Sequence, residues 1–347
     1  MTLADWSVAV LWVGLTLYVL LAGADFGGGF WDLLAGGAAR GRARRELIEH
    51  SIGPVWEANH VWLIFVLVTL WSAFPPVFAA VMSTLYIPLT PVALGIIIRG
   101  AAFAFRKASD APAQQRLFGA AFAVSSVLTP FFLGAVAGGI ASGRVPLTIA
   151  GGDLLTSWLN PTSVLGGILS VGAAAYLAAT YLCADARRVG HPELAEAFRR
   201  RALITGLALG LIAAVGIPVL AIDAPRLFDG LTHRGLPVVV LSAVSGAVSL
   251  VLLLRRRYLA VRITAALAVG TLLWGWAVGQ YPYLLEPQVT IAEGAAAPSA
   301  LSATLTVLGV GALVLAPSLW WLFSLFQRPT PGSGPDPVPG SRRTTDQ

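Results

Sequence analysis

The chain has 347 residues, of which 56% are hydrophobic and only 12% charged, with a mean hydropathy of +0.77. That is about half the charge a water-soluble domain carries, which excludes a soluble enzyme or a cytosolic binding module. The formal net charge of +6 resides in arginines between apolar runs, with no basic stripe interleaved with exposed aromatics, so the chain is not read as a nucleic-acid binder.

Residues 2–39 contain no Lys or Arg, so the first apolar run lacks the basic start of a cleavable signal peptide and is expected to stay in the mature protein. Hydropathy predicts an all-α polytopic membrane protein with nine spanning helices in bundles. They lie at about 6–34, 54–74, 77–105, 117–141, 162–183, 202–222, 236–254, 262–284 and 300–326. The loops after the odd-numbered spans carry Arg40, Arg42, Arg44 and Arg45, then Arg106, Lys107 and Arg116, then Arg187, Arg188 and Arg199 to Arg201, then Arg255 to Arg257 and Arg262. The opposite loops carry Arg144, Arg226 and Arg234. By the positive-inside rule the N-terminus is then outside and the C-terminus cytoplasmic, and Arg328, Arg342 and Arg343 agree. Residues 1–328 read as one integral domain, while 329–347 (PTPGSGPDPVPGSRRTTDQ) read as a disordered cytoplasmic tail.

Aromatics fit this frame as interface anchors: Trp6, Trp71, Trp158, Tyr281 and Tyr283 at outer ends, and Trp31, Trp320 and Trp321 at inner ends. The single cysteine, Cys183, can make no internal disulfide and reads as a small apolar residue. Metal clusters, nucleophile elbows and phosphate loops are absent from the pattern, and no metal site is expected.

Chemistry concentrates where ionisable groups enter the apolar runs. In the first span, Asp25 lies about 28 Å along the helix axis from Trp6, at the expected cytoplasmic end, within AGADFGGGF. Gly23, Gly27, Gly28 and Gly29 remove bulk and allow another backbone, or another chain, to approach. The second span opens as WEANHVW, placing Glu57, Asn59 and His60 in its first turns, and Arg99 late in the third span reaches a similar depth. An ionisable side chain at membrane depth costs about 2.5–3.5 kcal/mol on insertion scales, so these groups should face protein or a water path. Two readings stand side by side. One is an ion-paired knot in which Arg99 neutralises a carboxylate; the other is a proton path in which Asp25 and Glu57 relay, Asn59 and His60 orient, and Arg99 supplies the countercharge. His60 is poorly provided with a second axial partner for haem, since His50, His191 and His233 fall in loops and the methionines are Met1 and Met82.

The pieces AGADFGGGFWDLL, RRELIEHSIGPVWEANHVWLI, FPPVFAAVMSTLYIPL and IIIRGAAFAFR, followed by NPTSVLGGILSVG and GQYPYLLEP, resemble subunit II of the cytochrome bd-type quinol oxidases, including the cyanide-insensitive branch. The resemblance implies a partner, the haem-bearing subunit I, which holds haems b and d, oxidises quinol at the outer face and reduces oxygen to water with cytoplasmic protons. It further implies a bacterial cell (inner) membrane, with lipid and quinone as neighbours and room for a small single-helix accessory subunit. No cofactor is expected on this chain alone. Trp56, Glu57, Ala58 and Asn59 match the family's tryptophan-acid-small-asparagine motif, whose acid the family uses in proton uptake, and Asp25 matches the acid near the glycine-rich end of the first helix. Glu57 and Ala58 stand where Asp and Gly are common, and Ala22-Gly23-Ala24 lacks an upstream acid often found there. The rival from another class is a proton-coupled secondary transporter, which also buries acids in membrane helices; a third reading is a purely structural anchor.

Overall fold

The computed structural model describes residues 2–52, 56–109 and 111–327; the side chains of 38–40, 52, 56–58, 107, 322, 323 and 325–327 also lie outside the described set. Two compact units divide the chain at Leu305 and Thr306. In the first, helices α1 (Leu3–Leu33), α2 (Ala38–Ile52), α3 (Trp56–Ala73), α4 (Pro75–Thr84), α5 (Tyr86–Ala108), α6 (Pro112–Ala141), α7 (Pro161–Arg188), α8 (Pro192–Asp223), α9 (Pro225–Thr232), α10 (Leu236–Leu254) and α11 (Tyr258–Gln280) follow one another. A two-strand antiparallel hairpin, β1 (Tyr283–Leu285) and β2 (Val289–Thr290), and the single turn α12 (Ile291–Gly294) complete it. Helix α13 (Pro298–Gln327) begins in the first unit; its remainder, from Thr306, is the described part of the second, where Leu313, Trp320 and Trp321 are exposed.

Helices α1, α5, α6, α7, α8, α10, α11 and α13 are long and apolar enough to cross a membrane, while the stretch Asn59–Ala73 of α3 is a shorter apolar helix. Eight of the nine predicted spans thus fall on helices long enough to cross, while the second, 54–74, whose first two residues lie outside the described set, falls on the shorter α3; three boundaries differ. The third span is not continuous from 77 to 105: it divides at Leu85 into α4 and α5, where Pro88 has no N–H to offer the carbonyl of Thr84, the last residue of α4. Helix α8 starts at Pro192, ten residues before the predicted apolar run, since Pro at N1 and the charged PELAEAFRRR segment extend the helix beyond its hydrophobic part. The eighth span ends at Gln280 and the chain turns into the hairpin.

Helix α1 packs against α3, α6, α7 and α11. Its glycines admit neighbours of this same chain: a Cβ at Gly27 would sit 1.9 Å from the Ala174 carbonyl oxygen of α7, and one at Gly29 would sit 2.1 Å from Ser126 Oγ of α6. At the C-terminal end of α1, Trp31, Leu177, Cys183, Phe198, Leu253 and Val261 form one buried cluster. At its N-terminal end, Phe74, Val77, Leu85, Val145, Leu285 and Val289 form another. Trp31 is thus no interface anchor: it is buried, and its Nε1 donates to the Ala175 carbonyl at 2.8 Å. Trp6, Trp71 and Tyr281 are exposed, and so is the apolar stripe Ile204, Leu207, Leu211 and Val215 along α8. Spacing of three and four residues puts that stripe on one helix face, the pattern of a surface turned to lipid.

Candidate proton-handling site

Asp25 projects from α1 into the protein and is 4% exposed. Asn59 of α3, also buried, donates from Nδ2 to Asp25 Oδ2 at 2.6 Å, so the first turn of α3 is joined to the last third of α1 by a buried side-chain hydrogen bond. One residue further on, His60 faces the aromatic rings of Phe26 (5.6 Å between centroids) and Tyr18 (6.2 Å).

Arg99 of α5 is 1% exposed. Its Nε donates to Ser126 Oγ of α6 at 3.1 Å, one Nη lies 3.5 Å from His60 Nε2, and the guanidinium lies over the rings of Phe26 (5.0 Å) and Phe122 (4.9 Å). The Ser126 hydroxyl donates a hydrogen bond to the Phe122 carbonyl at 2.6 Å, which leaves its oxygen to accept from Arg99. The space for Ser126 exists because Gly29 has no side chain. Among the described residues no ion pair joins Arg99 to Asp25; the two act on each other as charges without contact. The second Nη of Arg99, Asn59 Oδ1 and Tyr18 Oη, all buried, have no hydrogen-bond partner among the described residues. Among the described residues the cluster therefore holds one carboxylate, one permanent cation and polar atoms without a hydrogen-bond partner.

Seven residues along the same face of α1 stands a differently built group. Asp32 is buried and bound by two arginines, Arg45 Nε at 3.0 Å and Arg106 Nη1 at 2.8 Å, and Arg106 also reaches Glu49 at 3.0 Å. Arg45 and Glu49 come from α2 and Arg106 from α5, so this network ties three helices together at the C-terminal end of α1.

The structure thus gathers Asp25, Asn59, His60 and Arg99 in one place. Glu57 belongs to the first turn of α3, but its side chain lies outside the described residues. The sequence reading did not single out Ser126, Phe26, Phe122, Tyr18 or the Asp32 network. A signal existed for Asp32, seven residues after Asp25 and so nearly in line with it on a helix, and for Ser125-Ser126 as a polar pair inside an apolar run. His60 is badly suited to bind haem iron here, because its Nε2 faces the Arg99 cation. Among the described residues no group of three His, Cys, Asp or Glu side chains could hold a metal ion.

Comparison with known proteins agrees with the fold. Residues 3–326 match the family described as cytochrome bd terminal oxidase subunit II. The putative cytochrome bd menaquinol oxidase subunit II of Bacillus subtilis is 25% identical over 337 residues, covering 93% of this chain and 95% of that one. The cytochrome bd ubiquinol oxidase subunit 2 of the same organism is 32% identical over 46% of each chain. The cytochrome bd-I ubiquinol oxidase subunit 2 of Escherichia coli is 29% identical over 54% of this chain and 48% of its own. For the latter two the match thus spans about half of the relative's length. A chain in the structure of bd oxidase from Geobacillus thermodenitrificans superposes with a TM-score of 0.73 at 25% identity, covering 94% of this chain and 99% of that one. With its apolar helices, this chain is a multi-pass protein of the bacterial inner membrane, and it belongs to the cytochrome bd terminal oxidase subunit II family.

Proposed function

We propose that this chain is the second membrane subunit of a bd-type quinol:oxygen oxidoreductase, and that it covers one flank of a haem-bearing subunit I and conducts protons toward it from the cytoplasm. It performs no redox step itself; the partner's haems supply electron transfer and oxygen chemistry. The N-terminus is outside and the C-terminus inside, which puts Asp25 and the Asp32 network on the proton-uptake side.

The observation that carries this reading is the buried Asp25 carboxylate, held by Asn59 at 2.6 Å yet in no ion pair among the described residues, beside a fully buried Arg99. A carboxylate with an unsaturated shell can accept and release a proton, and Asn59 keeps one of its oxygens aimed across the α1–α3 contact while it does so. Arg99 keeps the site electrostatically hospitable to the anion, and Ser126 and the two phenyl faces fix the guanidinium. Glu57, two residues before Asn59, is the second relay.

The test is Asp25→Asn and Glu57→Gln in the assembled complex, with haem content and quinol-driven oxygen consumption measured on the same preparation. Both variants should keep their haem and lose turnover. Unchanged turnover in both removes the relay role and leaves a structural anchor.

A further inference from the structure

At the end of the bundle where α1 begins, opposite the Asp32 network, a cavity of about 360 Å³ opens among Pro225, Arg226, Asp229, Arg234, Tyr283 and Glu286. Glu286 is the unusual member. It is 4% exposed, lines the cavity, and makes no hydrogen bond or ion pair among the described residues. It follows β1 in a tight turn closed by Gln288 N donating to the Leu285 carbonyl at 2.9 Å, so its backbone is fixed. Gly143 presses on the same turn: a Cβ there would stand 2.9 Å from the Glu286 carbonyl oxygen, and its φ of +71 suits glycine.

Arg226 and Arg234 act on Glu286 electrostatically but neither lies within ion-pair distance of it. Arg234 donates to the Gly279 carbonyl at 3.0 Å, whereas Arg226 makes no hydrogen bond or ion pair among the described residues. Asp229 is engaged with His233 at 3.1 Å and its side chain is largely exposed. The lining thus presents two guanidiniums and the buried Glu286 carboxylate, with no ion pair between them among the described residues, and the exposed Asp229 carboxylate beside His233. A simple anion would be attracted by the arginines and repelled by Glu286, and a simple cation would meet the reverse. A ligand with an anionic and a protonated amine end satisfies both.

The position supplies the rest. Tyr281, two residues before Tyr283 of the lining, is half exposed, and Ile222, three residues before Pro225, is 85% exposed. An amphipathic ring and bare apolar surface beside a charged cavity mark the level where lipid headgroups meet acyl chains. We infer that this cavity binds the headgroup of a zwitterionic aminophospholipid, with the phosphodiester between Arg226 and Arg234 and the ammonium on Glu286.

The purified complex is tested in nanodiscs or by native mass spectrometry with phosphatidylethanolamine, phosphatidylglycerol and phosphatidylcholine offered in competition. The first has both charges and N–H donors, the second lacks the cation, and the third has a cation without N–H. Wild type should retain phosphatidylethanolamine over the other two by about tenfold, the size expected for one charge-assisted hydrogen bond. Glu286→Gln should abolish the preference over phosphatidylglycerol while lipid is still held, and Arg226→Gln, which removes no hydrogen bond or ion pair among the described residues, should weaken retention of both. Equal retention of all three lipids by wild type, or a preference untouched by Glu286→Gln and Arg226→Gln, overturns the assignment. Binding of soluble phosphoethanolamine with no lipid retained overturns the lipid source.

Discussion

Asp25 and Asp32 stand seven residues apart on one face of one helix, both nearly inaccessible, and their surroundings differ in a way that separates two uses of a buried carboxylate. Asp32 meets a guanidinium at each oxygen, and its arginines, 18% and 26% exposed, reach it from α5 and α2. Among the described residues Asp25 has one amide on one oxygen and no ion pair with the nearby Arg99 cation. A carboxylate clamped by two arginines is engaged in holding helices together. One with a single neutral donor keeps its freedom to take a proton. Under the proposed function, this contrast lets one helix carry both a clasp and a relay within about 10 Å.

That contrast can be broken by experiment. The largest effect is expected for Asp25→Asn, which should lower turnover per haem by about 100-fold or more, the usual loss when a positioned acid–base group is removed. Asp25→Glu should recover part of it, because the longer arm retains the proton chemistry. Next comes Asn59→Leu, which removes the only side-chain hydrogen bond the described residues make to Asp25; turnover should fall by about tenfold with assembly intact, consistent with one hydrogen bond to a charged group. A fall as deep as that of Asp25→Asn would mean Asn59 does more than aim the carboxylate. The smallest effect on turnover belongs to Asp32→Asn: less than about twofold, but with stability lowered by about 1–3 kcal/mol in thermal unfolding, a buried-pair loss discounted for the partly exposed arginines. If Asp32→Asn stops turnover while the complex stays as stable as wild type, the division between clasp and relay is wrong.

How much of this was readable beforehand follows from what hydropathy encodes. Long apolar runs located eight helices long enough to cross, and span 236–254 coincides with α10, because burial in lipid demands length and little else. The same signal is blind to α2, whose ARGRARRELIEH stretch is helical through its Ala, Arg and Glu content and carries no apolar run. It also misread the end of α11, where Tyr281-Pro282 and Glu286-Pro287 turn the chain into a hairpin that hydrophobic averaging smooths over. Intramembrane charges stood out because they are rare, so Asp25, Asn59, His60 and Arg99 could be named together. Which of them touch could not be named. That Asn59 reaches Asp25, that Arg99 rests on Ser126, and that Asp32 collects arginines from two other helices depend on which faces α1, α3, α5 and α6 turn to one another, and those faces are chosen by contacts such as Gly27 on Ala174.

The central claim is that the Asp25 carboxyl gains and loses a proton during turnover. Redox-triggered infrared difference spectra of the assembled complex address it directly. Wild type should show a carboxylic C=O band that shifts in heavy water and disappears in Asp25→Asn while persisting in Asp32→Asn. A spectrum with no carboxyl band sensitive to Asp25, or one that vanishes in Asp32→Asn instead, would contradict the account.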